Sequence, residues 1–543
     1  MTENSLQELP SSIIRQIIGY LPAQDKVNLL YTNYHFYVLV QPLLYKNLYF
    51  SKAYQLSCPE SFDEALYTMI GVAKTPLATD ELNRQIYQTR QEILLSSMQV
   101  NPELCKFVEN IVVEGTYYNF DKIEPFEDVI DEQLLDFIKS NCTNLKSLIS
   151  LRSTIPNIVL PSLEYIQLSS LENFEKVVKM NVKGLELALT DNSMKLDIEP
   201  NQLLAFAKNL KELTFDNELS QSIFLKALIS LLEKGNDSLR LHSLRIIFHH
   251  YYEDPSPLLV SLFEVLDVTI LDKLEIEMGC DDITCDCLHT FTQHLIEKGL
   301  NVTQLSLIQK TGRRDHNYTE AFDFLVTSFL RKNPKAENIK HLFIEHMPPG
   351  DFNVDFGFEG NYLHRKELYE TMLPLLKGLE TFSAPTFLQS VACYEQLISN
   401  LLWNGCKCSH CDDYLPIFDK FILQHQYYDE VKSHMTDMIS PILFGNVAKV
   451  LGNRRSGSIK EYPALCRFWN FHDAPYDIIH FLEACPYDNS AFPPITTCVI
   501  HFLQNYVDDI GTMIPSLNRC TLSGVTFHKD NIEQSWTSSE DKK

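Results

Sequence analysis

The 543-residue chain is too long for one ordinary core and implies two or three domains or one extended repeat array. Its 45% apolar and 22% charged residues are the balance of a folded protein, and its net charge of −25 repels phosphate backbones and anionic lipid surfaces. Nucleic acid and membranes are therefore not expected partners. No apolar run approaches the roughly 18 residues of a membrane helix, and the start, bearing Glu3 and Glu8, lacks the basic region of a signal peptide. The expected setting is the cytoplasm or nucleus, where the 14 cysteines stay mostly reduced.

The first predicted elements lie between Leu6 and Tyr45, where Leu-Pro pairs occur at Leu9-Pro10 and Leu21-Pro22. Pro10 suits a first helical position, where its missing N–H costs nothing. Ile13, Ile14, Ile17 and Ile18 then form one wide apolar stripe, and Gly19 and Pro22 stop the helix. Asp25 opens a second helix that carries Val27, Leu29 and Leu30 and ends at Asn33. A third segment runs from His35 to Val40 and halts before Pro42. Three helices this short and this apolar are marginal alone and call for something to pack against.

Taken in order, Leu9-Pro10, Ile13 to Ile18, Tyr20-Leu21-Pro22, Asp25, Asn28-Leu29, Thr32-Asn33, Phe36-Tyr37 and Pro42-Leu43-Leu44-Tyr45 resemble an F-box of the fungal variety. The third-helix aromatic, often Trp in animal members, is Phe36 or Tyr37 here. The resemblance implies a three-helix F-box over residues 1–50. It also implies that Leu9, Pro10, Ile13, Ile17, Leu21 and Pro22 face the Skp-type adaptor of a cullin-RING (SCF) ubiquitin ligase. Physically, an apolar helical surface would lie in a partner's groove.

Residues 51–140 read as a linker of mixed helix and loop. Beyond it a phrase, apolar-x-x-apolar-x-apolar, recurs over residues 141–390. It reads LKSLIS at Leu145, LEYIQL at Leu163, VKGLEL at Val182, LKELTF at Leu210 and LHSLRI at Leu241. It continues as LDKLEI at Leu271, VTQLSL at Val302, IKHLFI at Ile339 and LKGLETF at Leu376. The fourth positions are 148, 166, 185, 213, 244, 274, 305, 342 and 379. Segments with helical spacing lie between the phrases, such as FLKALISLLEKG from Phe224. The alternation predicts a leucine-rich-repeat-like α/β solenoid with degenerate repeats. A doubly wound α/β sheet would alternate in the same way, but no glycine-rich phosphate loop follows any phrase.

The x positions of the phrases would line a concave face. Glu186, Glu212, Arg245 and Glu275, with Glu164, Glu277 and Glu345, make that face acidic and suited to a basic substrate segment, although solvated strand faces are often charged anyway. A proline-, glycine- and aromatic-rich insertion from His346 to His364 adds Phe352 and Phe356 as candidate contacts, with Phe358 and Tyr362 beside them. Residues 391–528 form an irregular repeat region whose last phrase begins at Ile514, and residues 529–543 read as a disordered tail.

WNGCKCSHCDD holds Cys406, Cys408, His410 and Cys411, and Cys408-x-x-Cys411 has zinc-ligand spacing; no second ligand pair lies nearby, so a structural zinc would need His425, His434, Cys466 or His472 to complete its site in space. A second group, Cys280, Cys285 and Cys287, sits at a repeat turn and is a weaker candidate. No nucleophile elbow, phosphate loop or H-E-x-x-H motif is present, so a non-catalytic subunit with no required cofactor is expected. The family resemblance implies a substrate receptor: the F-box holds the adaptor, and the solenoid presents a protein for ubiquitin-dependent catabolism. The alternative within the same family is a non-SCF F-box protein that binds the adaptor and directly inhibits a partner, such as a Rab-type GTPase in endosomal traffic.

Overall fold

The structure is a computed structural model. It describes residues 9–21, 23–52, 66–71, 80–115, 117–118, 122–123, 125–151, 153–191, 196–250, 254–280, 285–309, 318–345, 369–384, 406–413, 492–522, 525–530 and 535–538. The chain divides into two compact units, the first ending at Ile223 and the second beginning at Phe224.

The first unit opens with three helices, α1 (Ser11–Gly19), α2 (Ala23–Leu30) and α3 (Tyr34–Lys46). Ile14, Ile18, Phe36, Leu39, Val40 and Leu44 form their common core. The Asn33 side chain accepts the Phe36 amide at 3.0 Å, so Asn33 caps α3 instead of ending α2. The third helix also passes through Pro42 rather than stopping before it. Pro42 forfeits one helical hydrogen bond. Burial of Leu44 and packing of Leu43 and Tyr45 against the same core offset that loss.

Strand β1 (Asn47–Ser51) follows α3 without a loop, and β2 (Thr68–Gly71), α4 (Asp80–Val100) and β3 (Asn110–Glu114) come next. Residues 51–140 thus supply strands as well as helix. A small hairpin of β4 (Tyr117–Tyr118) and β5 (Lys122–Ile123) leads to α5 (Phe126–Val129), α6 (Glu132–Asn141) and β6 (Ser147–Leu151). The unit continues with β7 (Tyr165–Leu168), α7 (Phe174–Val178), β8 (Gly184–Leu187), α8 (Pro200–Asn209) and β9 (Glu212–Phe215). Strands β2-β1-β3-β6-β7-β8-β9 are all parallel neighbours in that order. Leu48, Ile111 and Leu148 are register partners, as are Ile166, Leu185 and Leu213, and all six are buried. The phrase therefore starts earlier than its evident copies, as YKNLYF at Tyr45 and VENIVV at Val108.

Helix α9 (Glu218–Gly235) crosses the division. The second unit then alternates β10 (Ser243–His250), α10 (Ser256–Val265), β11 (Lys273–Cys280), α11 (Cys287–Glu297), β12 (Gln304–Gln309), α12 (Tyr318–Lys332), β13 (His341–Glu345) and β14 (Thr381–Ala384). Helix α13 (Phe492–Met513) precedes β15 (Arg519–Leu522), β16 (Val525–Lys529) and β17 (Trp536–Ser538). Strands β10 to β15 are parallel in chain order, which is the neighbour-to-neighbour progression of a solenoid, and β15-β16-β17 close it as an antiparallel meander. The ladder runs Leu244, Leu274, Leu305, Leu342, Phe382 and Cys520. The ninth phrase is therefore shifted by three residues: Phe382, not Leu379, takes the fourth position. Leu379 is buried as its first apolar residue, three positions before Phe382.

Part of the stretch expected as a disordered tail is strand, because Lys529 pairs with Trp536, and Trp536 and Ser538 are buried. Gly511 leaves room for the Trp536 indole, whose Nε1 would lie 2.5 Å from an added Cβ. Among the described residues, no helix is long and apolar enough to cross a membrane.

Candidate functional site

Helix α1 has two apolar faces. Ile14 and Ile18 are 0% and 1% exposed and belong to the three-helix core. Ile13 and Ile17, one position earlier on the helix, are 42% and 39% exposed. One stripe read as continuous in sequence thus serves two surfaces. Leu9 and Pro10 lie exposed just before the helix, and Leu21 is half-buried after it. Pro22 lies outside the described residues. Tyr20, Tyr31, Tyr34, Tyr37 and Val38 are also exposed, and the Tyr34 and Tyr37 rings stack at 6.2 Å. The helical unit thus leaves these large apolar side chains exposed beside the buried core of Ile14, Ile18, Phe36, Leu39, Val40 and Leu44.

The x positions behave differently from an open acidic face. In β3, Glu114 is buried and accepts the Tyr49 and Ser51 hydroxyls at 2.9 Å each. Glu186 accepts the Tyr165 hydroxyl at 2.7 Å and the Gln167 amide at 2.9 Å. Burial pushes the Tyr165 hydroxyl well above the usual tyrosine range, and the charges of Glu186 and Glu212 add to this, so it remains a donor. In the second unit Arg245 lies 3.3 Å from Glu275 and 3.2 Å from Glu277, and His249 lies 3.1 Å from Glu277. Both carboxylates are buried, as is Glu345. Candidate contacts Arg245 and Glu275 therefore engage each other. Glu212 is exposed, while Phe352, Phe356, Phe358 and Tyr362 lie outside the described residues.

Cysteine and histidine side chains gather at two places in the second unit. Cys406, Cys408 and Cys411 are joined by His501 of α13, with Nδ1 3.6 Å from Cys408 Sγ and 3.3 Å from Cys411 Sγ. His425, His434, Cys466 and His472 lie outside the described residues. Amide N–H groups, above all that of Cys411, lower the Cys408 thiol from its ordinary range. Cys280, Cys285 and Cys287 are joined by His250. Burial raises the Cys287 thiol, and hydrogen bonds with the Cys285 and Cys280 thiols raise it further. Neither histidine figured among the sequence candidates. His250 had a signal: the phrases at 244 and 274 are 30 residues apart, and so are His250 and Cys280. His501 had none, being 90 residues beyond Cys411.

No protein-family model matches the chain. The chain is 29% identical over 517 residues to the non-SCF-type F-box protein ROY1 of Saccharomyces cerevisiae, a match that covers 90% of each protein.

Proposed function

Since the chain is an F-box protein of the fungal type, we propose that it binds a Skp-type adaptor through α1 and acts outside a cullin-RING ligase. In this reading it holds a protein partner on its repeats and restrains it directly, without chemistry of its own. The single observation that carries adaptor binding is the outward row Leu9, Ile13 and Ile17, left exposed beside the closed core of Ile14 and Ile18. The relative's description as non-SCF-type favours the cullin-free form. A Rab-type GTPase is the kind of partner the family resemblance suggests. Glu212 and Glu186 are the acidic positions at which a basic segment of that partner would be met.

The second reading, an SCF substrate receptor, shares the adaptor contact and differs in that cullin joins the complex. Size-exclusion chromatography of the purified chain with adaptor, and then with adaptor plus cullin, separates them. The proposal expects a one-to-one complex with adaptor that cullin does not join. A ternary complex with cullin would restore the receptor reading. Failure to bind adaptor at all would end both.

A further inference from the structure

We infer that the second unit holds two structural zinc ions, each bound by three cysteine sulfurs and one histidine nitrogen: His250, Cys280, Cys285 and Cys287 at one site, Cys406, Cys408, Cys411 and His501 at the other. In each group the four ligand atoms lie within 4.8 Å of one another. A tetrahedral zinc, with Zn–S of about 2.3 Å and Zn–N of about 2.0–2.1 Å, fixes S···S near ~3.8 Å and S···N near ~3.6 Å. At the first site Cys287 and Cys280 sulfurs are 3.5 Å apart, and His250 Nδ1 lies 3.8 Å from Cys280 Sγ and 3.3 Å from Cys285 Sγ. At the second, His501 Nδ1 lies 3.6 and 3.3 Å from two of the three sulfurs. These are the edges of tetrahedra of the right size. A disulfide would need sulfurs about 2.05 Å apart, and none of these cysteines forms one.

The fold builds both sites by different means. His250 and Cys280 are register partners at the ends of β10 and β11, so the parallel ladder sets them side by side. Cys287 opens α11 and its amide donates to Cys285 Sγ at 3.4 Å, an N–H···S contact that fixes the direction of that sulfur. At the second site Cys408 begins a helical turn and Cys411 lies three residues on, which puts both thiols on one side of it. His501 comes from α13, and its ring meets the His410 ring edgewise at 6.0 Å.

Four protein ligands close each coordination sphere, so these are structural and not catalytic sites. The first would staple the connection after β11 onto two strand ends. The second would tie Cys411 to a residue 90 positions later, a closure whose entropic benefit grows with the length of chain spanned.

Metal analysis of the full-length protein, purified without chelator, should find two zinc ions per chain. Cys285→Ser with Cys287→Ser should lower this to one, as should Cys408→Ser with Cys411→Ser, and the four together should leave none. Replacement of zinc by cobalt in the unaltered chain should give the intense visible absorption of tetrahedral cobalt-thiolate centres, a readout that does not depend on any variant folding. A zinc content near zero that added zinc does not raise would overturn the inference. One zinc per chain would overturn it for the site whose serine pair leaves the content unchanged. Iron with acid-labile sulfide would overturn the zinc assignment. None of these readouts depends on adaptor binding.

Discussion

Alanine substitutions on the two faces of α1 should have opposite effects. Ile14 and Ile18 are 0% and 1% exposed, so truncating either one opens a cavity in the three-helix core. A buried Ile→Ala change costs about 2–5 kcal/mol. Ile13 and Ile17 still expose about two-fifths of their surface, at 42% and 39%. Fully burying an isoleucine is worth about 1.5–3 kcal/mol, so completing the burial of each against a partner should contribute about 1 kcal/mol. Losing both contributions weakens binding by about 2 kcal/mol, or about thirty-fold in Kd. Stability should fall less with them than with a core truncation, because part of each side chain is already in water and alanine is the better helix former by a few tenths of a kcal/mol. Denaturant unfolding and calorimetric titration with Skp-type adaptor read the two quantities separately. Ile13→Ala/Ile17→Ala should lose affinity and only part of the unfolding midpoint that Ile14→Ala loses. The reasoning fails if the outer pair unfolds as early as Ile14→Ala, or if its Kd stays within threefold of the original.

Arg245→Met takes the guanidinium charge away from the buried Glu275 and Glu277 and should cost about 3 kcal/mol, the low end for a broken buried pair because Arg245 keeps 21% of its side chain exposed and Glu277 keeps His249 at 3.1 Å. Adding Glu277→Gln should recover part of it, and denaturant unfolding of the single and double variants tests that non-additivity. Gly378→Ala should destabilise by about 1–3 kcal/mol, since its Cβ would meet the Glu337 carbonyl oxygen at 2.6 Å, whereas Gly19→Ala, with nothing within 4 Å, should not lower the unfolding midpoint. Glu109 sits between Lys146 at 2.7 Å and Lys46 at 3.7 Å. Burial pushes its carboxyl up, but the Lys146 hydrogen bond and the two lysine charges pull it further down, leaving it below the usual range. A depressed folded value stabilises above the unfolded value, near about 4.3, and the contribution disappears as pH falls through the folded value. Glu109→Gln should therefore cost under about 1 kcal/mol near neutral pH and nothing in strong acid. An equal loss at both pH values would contradict this.

The fold was most legible where the phrase is leucine-rich and evenly spaced. The fourth positions 166, 185 and 213, and again 244, 274, 305 and 342, are ladder partners because one apolar side chain per strand must reach the same core layer. Leu376, Leu379 and Phe382 are all apolar at steps of three, which leaves two registers equally apolar in sequence, and the strand takes the one with Phe382 at the fourth position. The strand at Asn47 was hidden because its phrase begins inside α3. The outer and inner isoleucines of α1 could be grouped but not separated, since spacing gives a face and not the partner of that face. The glutamates of the x positions looked like a solvated surface. Glu114, Glu277 and Glu345 are in fact buried, and no local pattern signals a carboxylate whose partner lies on the next strand, as with Tyr49, 65 residues away. The clustered cysteines were visible as spacings, while both histidines arrive from elsewhere in the second unit.

The most direct test of the central claim is affinity purification of the protein from fungal cells, with the amounts of adaptor and cullin read by mass spectrometry beside a Leu9→Ala/Pro10→Ala variant. Adaptor is expected on the unaltered chain, with no cullin above background, and neither on the variant, which keeps its other partners. Cullin recovered in proportion to adaptor would contradict it and make the chain a ligase receptor.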